Sequence, residues 1–462
     1  MRHPLLVLAV FALAGCAIHP PGEKEERARA SEAGRPFEKA FLERDLPPLK
    51  PDASAAELLR HALLSNGDLE QRYWEWRAAL ERIPQEASPK TTLAISFETM
   101  IRGGMGSFLD RTTIGLGNDP MNNLPFPSKL ATAGRKALEE ARAAGLRFER
   151  ARFELREKVL SAHADWALLA ERIRLQEENV ALLETTTAIA EGRTRAGTSL
   201  ALYLLKAQTE RDLAKNDLEK LKARVPADRA FLNALLGRAP DAPLDLPKVF
   251  PPSRPFPLSD AEVLALAAER NPELAAISRE GKAREEAIRL AKQEYIPEFG
   301  LGAKGDLGGT TRSVMGMVTA PFLRWEALKA GVAEARAQLR ENEAMSRQAG
   351  VDLSARVVLA LRALRDDERQ AALFRDAILP RAKLMEESAR ASYTAGKAPF
   401  VDLLDAQRML IEIRTTLAEI RADREKRLAE IEAMAGVERV EAESAPSPSA
   451  NEKPMAPEKS PK

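Results

Sequence analysis

Arg195-Ala-Gly197-Thr-Ser-Leu-Ala-Leu-Tyr-Leu-Leu-Lys-Ala-Gln208 and Thr394-Ala-Gly396-Lys-Ala-Pro-Phe-Val-Asp-Leu-Leu-Asp-Ala-Gln407 follow one pattern, 199 residues apart. Each reads as a helix end, a glycine reversal and a new helix start. Glycine has a backbone reason here, because a chain turning between helices often needs a left-handed residue. After the second reversal, Leu403, Ala406, Leu410, Ile413, Leu417, Ile420, Ile431 and Met434 keep alternating three- and four-residue steps, broken at Arg424 and Arg427. After the first, Leu204, Ala207, Ala214, Leu218, Leu221, Val225, Leu232 and Leu235 do the same, broken at Arg211 and Asp228. That step is the seam of a coiled coil. Pro226 should kink the first of these helices.

Working outward, the two halves keep matching in order. Ser54-Ala-Ala-Glu-Leu-Leu aligns with Ser259-Asp-Ala-Glu-Val-Leu, Asn66-Gly-Asp-Leu69 with Asn271-Pro-Glu-Leu274, and Ile83-Pro84 with Ile296-Pro297. Pro125-Phe126 aligns with Pro321-Phe322, and Gly237 with Gly436. Ordered landmarks that include Pro and Gly are hard to obtain by chance, so the chain is read as an internal duplication. Before each glycine reversal lies one very long helix, about Lys129 to Ala196 and about Leu323 to Ala395. At 1.5 Å per residue each reaches roughly 100 Å. Val159, Ala162, Trp166, Leu169, Ile173, Val180 and Leu183 form its seam, with Gln176 as the exception.

Between short and long helices the period changes to two. Leu93, Ile95 and Phe97 alternate within Thr91 to Ile101, and Phe299, Leu301 and Ala303 within Glu298 to Asp306. Thr112 to Gly117 and Ser313 to Ala320 complete two strands per half. Such pieces also suit soluble hairpins. If they span lipid, four strands cannot close alone, because unpaired backbone there costs several kcal/mol per group and known barrels begin at about eight strands. Several copies must then share one barrel, continued by the helices as a tube.

The expected organisation follows. Residues 1–15 are a secretion leader: Arg2, an apolar run from Leu5 to Leu13, then Leu13-Ala14-Gly15-Cys16. The apolar run is too short to span a bilayer, which needs about 20 residues. The ending resembles the bacterial lipoprotein signal, which makes Cys16 the lipidated first residue. The absence of Asp at Ala17 favours the outer membrane. Residues 16–53 are a polar tether, 54–237 the first repeat, 238–258 a Pro-rich strap, 259–436 the second repeat and 437–462 a tail with too few apolar residues to fold.

Composition removes other classes. Lys and Arg number 70 against 69 Asp and Glu, so no charge excess points to nucleic acid. Four dispersed His and a single Cys offer no metal cluster and no intrachain disulfide. No phosphate loop, nucleophile elbow or Cys-x-x-Cys occurs, so no enzyme is expected, and no cofactor beyond lipid on Cys16.

The ordered motifs resemble the TolC-like outer-membrane factors over about residues 54 to 436. They are the lipoprotein start, tandem halves, Asn271 to Leu274, Ile296-Pro297, Pro321-Phe322 and, most telling, Tyr393 to Gln407. The resemblance implies a mainly helical fold with four strands per chain, and a homotrimer with a 12-stranded β-barrel in the outer membrane over a periplasmic α-barrel. It implies a passive exit duct that meets a periplasmic adaptor and an inner-membrane pump. It places Gly197 and Gly396 at the adaptor-facing tip, and Asp402, Asp405 and Tyr393 at the channel gate, where rings of carboxylates favour cations. Asp402 also reads as an acid at an ordinary helix start after Pro399, and Tyr393 as an exposed helix-end aromatic. Some members carry Arg where Ala398 stands and Asp where Tyr203 stands. Their ion-pair latch is therefore expected to be missing here, with Pro399 and Phe400 stiffening the turn. A periplasmic coiled-coil adaptor or scaffold lipoprotein is the alternative; it explains the helices but not the duplicated hairpins. Labelled palmitate should enter the wild-type protein, and Cys16→Ser should abolish that labelling.

Overall fold

The computed structural model describes residues 17–90, 92–100, 108–118, 124–308 and 312–438. The leader, Cys16 and the tail beyond residue 438 lie outside them.

A first helix, α1 (Glu23–Gly34), precedes the repeats. The first repeat comprises α2 (Ala55–Ser65), α3 (Gly67–Glu86), β1 (Leu93–Thr99), β2 (Thr112–Asn118), α4 (Pro127–Arg195) and α5 (Ala201–Leu235). A single helical turn, Phe108–Arg111, leads into β2. The second repeat comprises α6 (Asp260–Arg270), α7 (Pro272–Gln293), β3 (Glu298–Asp306), β4 (Arg312–Thr319), α8 (Trp325–Leu373), α9 (Leu379–Thr394) and α10 (Phe400–Ala435). The four strands occupy the stretches whose period is two.

Local chemistry sets the same boundaries twice. Ser54 and Ser259 each close a capping box, with Glu57 and Glu262. Asn66 and Asn271 cap the next helix through their side-chain oxygens. Their amide nitrogens reach across the repeat, Asn66 Nδ2 donating to the Leu235 carbonyl and Asn271 Nδ2 to the Met434 carbonyl, both at 3.0 Å. Gly237 and Gly436 then end α5 and α10 in the left-handed region, at φ 61° and 62°. The halves differ at Ile83-Pro84, which lies inside α3, whereas Ile296-Pro297 lies between α7 and β3.

The rods are close to the expected length. α4 runs unbroken for 69 residues. Its counterpart is divided: α8 ends at Leu373, a π turn covers Phe374–Ile378, and α9 begins. Pro380 explains the break, because it has no N–H to donate and its ring crowds the carbonyl four residues earlier. The first repeat has Ala181 at the matching place. Pro226 removes one bond from α5, yet the helix continues through it.

The α4 seam is buried throughout, whereas in α5 and α10 seam positions such as Leu221, Val225, Leu410 and Leu417 are half-buried. Gln176 is tolerated because its Nε2 donates to the Ala214 carbonyl across the α4–α5 seam at 2.9 Å. Arg424 is tolerated because it pairs with Glu368 and Glu425. α4 is the central rod, packing on α3 and α5 in its own half and on α7 and α10 in the other.

The strap lies along the rods. Trp166 Nε1 donates to the Asp245 carbonyl at 3.0 Å, and the Arg421 guanidinium sits 4.3 Å over the Phe250 ring. Arg254 reaches Glu425 at 2.8 Å and Glu432 at 3.1 Å. Burial disfavours the Arg254 charge, but Glu432 and Glu425 more than offset that and hold its pKa above the usual. Glu432 also accepts from Arg156 at 3.2 Å, so strap, α4 and α10 meet on one buried carboxylate.

The stretch read as a tether is laid down instead of loose. α1 packs on α3 and α4. Its acids, which made it look solvated, are partly buried: Glu26 accepts from Trp76 Nε1 at 3.1 Å, and Glu23 pairs with Arg27. Ile18 N–H donates to the Ala87 carbonyl at the end of α3.

Glu432→Ala would leave two buried guanidinium groups without a shared partner. Breaking such a pair costs about 3–5 kcal/mol, so purified Glu432→Ala protein should melt well below wild type, and Glu412→Ala, at an exposed position of α10, should not.

Candidate functional site

Two ends of the rods carry features that could act. At one end the strands form a single antiparallel sheet in the order β1-β2-β3-β4, so the two hairpins join edge to edge through β2 and β3. Register sorts its side chains. Ile95 faces Leu116 and Phe97 faces Ile114; Leu116 faces Ala303; Ala303 faces Val314 and Phe299 faces Val318. All of these fall on one surface, because side chains alternate along a strand. It is open to its surroundings, with Phe97 72% and Val314 78% exposed. The other surface carries Ser96, Glu98, Gly115, Gly117, Gly300, Gly302, Lys304, Ser313, Met315 and Met317, with Lys304 3.6 Å from Glu98.

Among the described residues the sheet's main contacts outside its own strands are with the helical turn Phe108–Arg111, and at its foot Leu124 bridges to Phe299 and Lys129 pairs with Glu298. Among the described residues β1 and β4 each pair with one strand, so each has one edge that no other strand covers. Among the described residues no helix is long and apolar enough to cross a membrane. Where strands become helices, aromatic rings gather: Phe126 lies 5.4 Å from Phe299 and Tyr295 lies 5.0 Å from Trp325, with Phe322 exposed beside them. Aromatic girdles at this level suit a bilayer interface. Lys129 locks the same junction through Glu294 at 2.9 Å and Glu298 at 3.0 Å.

At the other end are the two reversals. Gly197 and Gly396 have φ 72° and 73°, and the following amides close matching turns, Thr198 N–H to Arg193 carbonyl and Lys397 N–H to Ser392 carbonyl, both 2.9 Å. Both glycines therefore stand at the tip. Asp402 and Asp405 lie exposed near the start of α10, and neither makes an ion pair among the described residues. Asp402 is also in the first turn of α10, where the helix dipole favours an acid.

Tyr393 is not an exposed helix-end aromatic. It is 3% exposed, with its ring 5.4 Å from Phe400 and 4.7 Å beneath the Arg193 guanidinium. Its hydroxyl is buried without a hydrogen-bond partner. Phe400 is wholly buried and meets Tyr203 at 5.9 Å. Sequence reading singled out Tyr393, Tyr203 and Phe400 separately, but missed Arg193 and the column they form together. A signal was present. At the 199-residue offset Arg193 matches Ser392, Thr194 matches Tyr393, Ala201 matches Phe400 and Tyr203 matches Asp402, so the column is built where the duplication fails.

Comparison with known proteins agrees with this architecture. The family described as outer membrane efflux protein matches residues 122–238 and 263–437. The cobalt-zinc-cadmium resistance protein CzcC of Cupriavidus metallidurans is 25% identical over 287 residues, which are 60% of this chain. The match spans 66% of that relative's length. Among solved structures, the outer-membrane channel OprN is 17% identical with a TM-score of 0.71, covering 85% of this chain and 93% of its own. The outer membrane protein VceC of Vibrio cholerae is also 17% identical at a TM-score of 0.71, covering 83% and 96%. At such identity these two likenesses show the fold: long helical rods with a four-stranded sheet. With more than half of its length matched by the family's pattern, this chain belongs to the outer membrane efflux protein family.

Proposed function

We propose that the chain is the outer-membrane duct of a tripartite export system, a passive conduit built from three copies. The observation that carries this reading is the sheet: one outward apolar surface and two open edges. Exposing that surface to water would be unfavourable by about 25 cal/mol per Å², and lipid removes the penalty. Lipid in turn forbids free edges. Pairing β4 of one copy with β1 of the next is a head-to-tail contact, which closes as a ring. Three copies supply about twelve strands, within the known range of membrane barrels. The rods extend the same ring. α5 exposes Leu202, Leu205 and Leu213, and α8 exposes Val351, Val358 and Leu359, stripes that neighbouring copies could cover.

The N-terminus supports the same placement. Ile18 is tied to Ala87, six residues before β1. A residue spans at most about 3.6 Å, so acyl chains on Cys16 would enter the bilayer close to the foot of the sheet. The acyl chains would then lie in the leaflet at the foot of the barrel. The opposite tip, with Gly197 and Gly396, is left to meet an adaptor and, through it, an inner-membrane pump that supplies the energy. Asp402 and Asp405 from several copies would form an acidic ring around the narrow end and favour cations there. The name of CzcC makes divalent metal cations the first cargo to test.

Purified full-length protein should run as a trimer in light scattering and conduct ions in planar bilayers; a monomer without current would refute the duct. Asp402→Ala with Asp405→Ala should raise conductance and weaken cation preference, read from reversal potentials in a salt gradient. Unchanged current and selectivity would return both acids to helix-start chemistry.

A further inference from the structure

The two hairpins at the tip are not equally stiff. α4 is continuous from the sheet to Arg195, whereas the equivalent rod is interrupted by the π turn Phe374–Ile378 ahead of Pro380. Beyond it α9 runs 16 residues to Thr394, a lever of about 24 Å. π turns and the residues around them are common sites of helix bending. α9 packs along α10 and the π turn. Its tie to the first hairpin is at its far end. There Arg193 Nη2 donates to the Thr394 carbonyl at 3.3 Å, with the guanidinium over Tyr393.

That tie is one end of a column. Arg193 comes from α4, Tyr393 from α9, Phe400 from α10 and Tyr203 from α5, each stacked on the next. Every helix of the tip contributes one side chain. Further from the tip, Gln407 donates to Thr186 at 3.2 Å, and Arg414 pairs with Glu178 at 2.6 Å. Arg408 pairs with Glu210. These contacts hold α10 to the first hairpin and do not touch α9.

The geometry points to a hinge and a catch: α9 turns on the π turn Phe374–Ile378, and the Arg193–Tyr393–Phe400–Tyr203 column fastens its free end. The catch needs a cation over an aromatic ring and no carboxylate partner, which fits a tip carrying Tyr203 where the second repeat has Asp402. The Tyr393 ring serves it and the unpartnered hydroxyl does not. Whether the catch also governs conduction rests on the duct reading; whether it fastens α9 does not.

Backbone hydrogen exchange on the full-length, detergent-solubilised protein tests the catch directly, since local opening is read segment by segment. Losing a half-buried cation–π contact should speed exchange in peptides covering residues 384–399 about tenfold in Arg193→Ala. Peptides from residues 140–170 of α4 should stay as in wild type. Arg193→Lys, which keeps the cation, should fall between. Tyr393→Phe, which keeps the ring, should match wild type, and Tyr203→Ala should loosen the same peptides. Exchange in Arg193→Ala within twofold of wild type, or loosening spread equally along α4, would overturn the proposal. A parallel bilayer recording separates the two readings: wild type without current fails the duct, while the exchange result still decides the catch.

Discussion

A strand edge cannot face hydrocarbon. Each unpaired N–H or C=O in lipid costs several kcal/mol, far more than any surface ion pair in this molecule contributes. The sheet here has an oily surface and two such edges, and the rest of the architecture follows from resolving that conflict. Copies must add edge to edge, so the rods leaving each sheet must stand side by side. Rods standing in a ring need narrow apolar seams rather than a thick core, which is what the heptad spacing supplies. A chain with 30% charged residues can build such a wall because α5 and α8 keep long exposed faces while α4 stays central.

Much of this was legible because it depends on period and punctuation. β1 and β3 lay where alternation was seen, because an unshielded sheet must sort its faces residue by residue, while β2 and β4 were read from short Gly-rich or apolar pieces beside them. The repeats were visible through Ser54 and Ser259, Asn66 and Asn271, Gly237 and Gly436, each with a backbone duty that few residues can perform. Other features left no period to read. α1 looked like a tether because its residues are polar, and only the tertiary contact from Trp76 shows how Glu26 is satisfied, beside the Glu23–Arg27 pair within the helix. The π turn was missed although Pro380 announces it, since proline signals a break without saying how the helix absorbs it.

The tip was the least legible region, for a different reason. Arg193 is one arginine among many on a long polar helix, and nothing local distinguishes it. Its significance lies in Tyr393, 200 residues away, brought near by the return of the second hairpin. The acids Asp402 and Asp405 pose the reverse problem. Their spacing was clear in the sequence, but among the described residues neither makes an ion pair, so the fold of one chain places them no further than the exposed start of α10.

Each repeat also closes on itself. The asparagine that opens α3 or α7 holds the carbonyl at the end of α5 or α10, and the strap joins the two units while docking on α4 and α10. A shorter ancestral gene encoding one unit could have satisfied the same bonds as a ring of six identical subunits. Fusing the units froze their neighbours in place and released them from identity. Only then could the twins differ in kind, one carrying an aromatic at Tyr203 where the other carries Asp402.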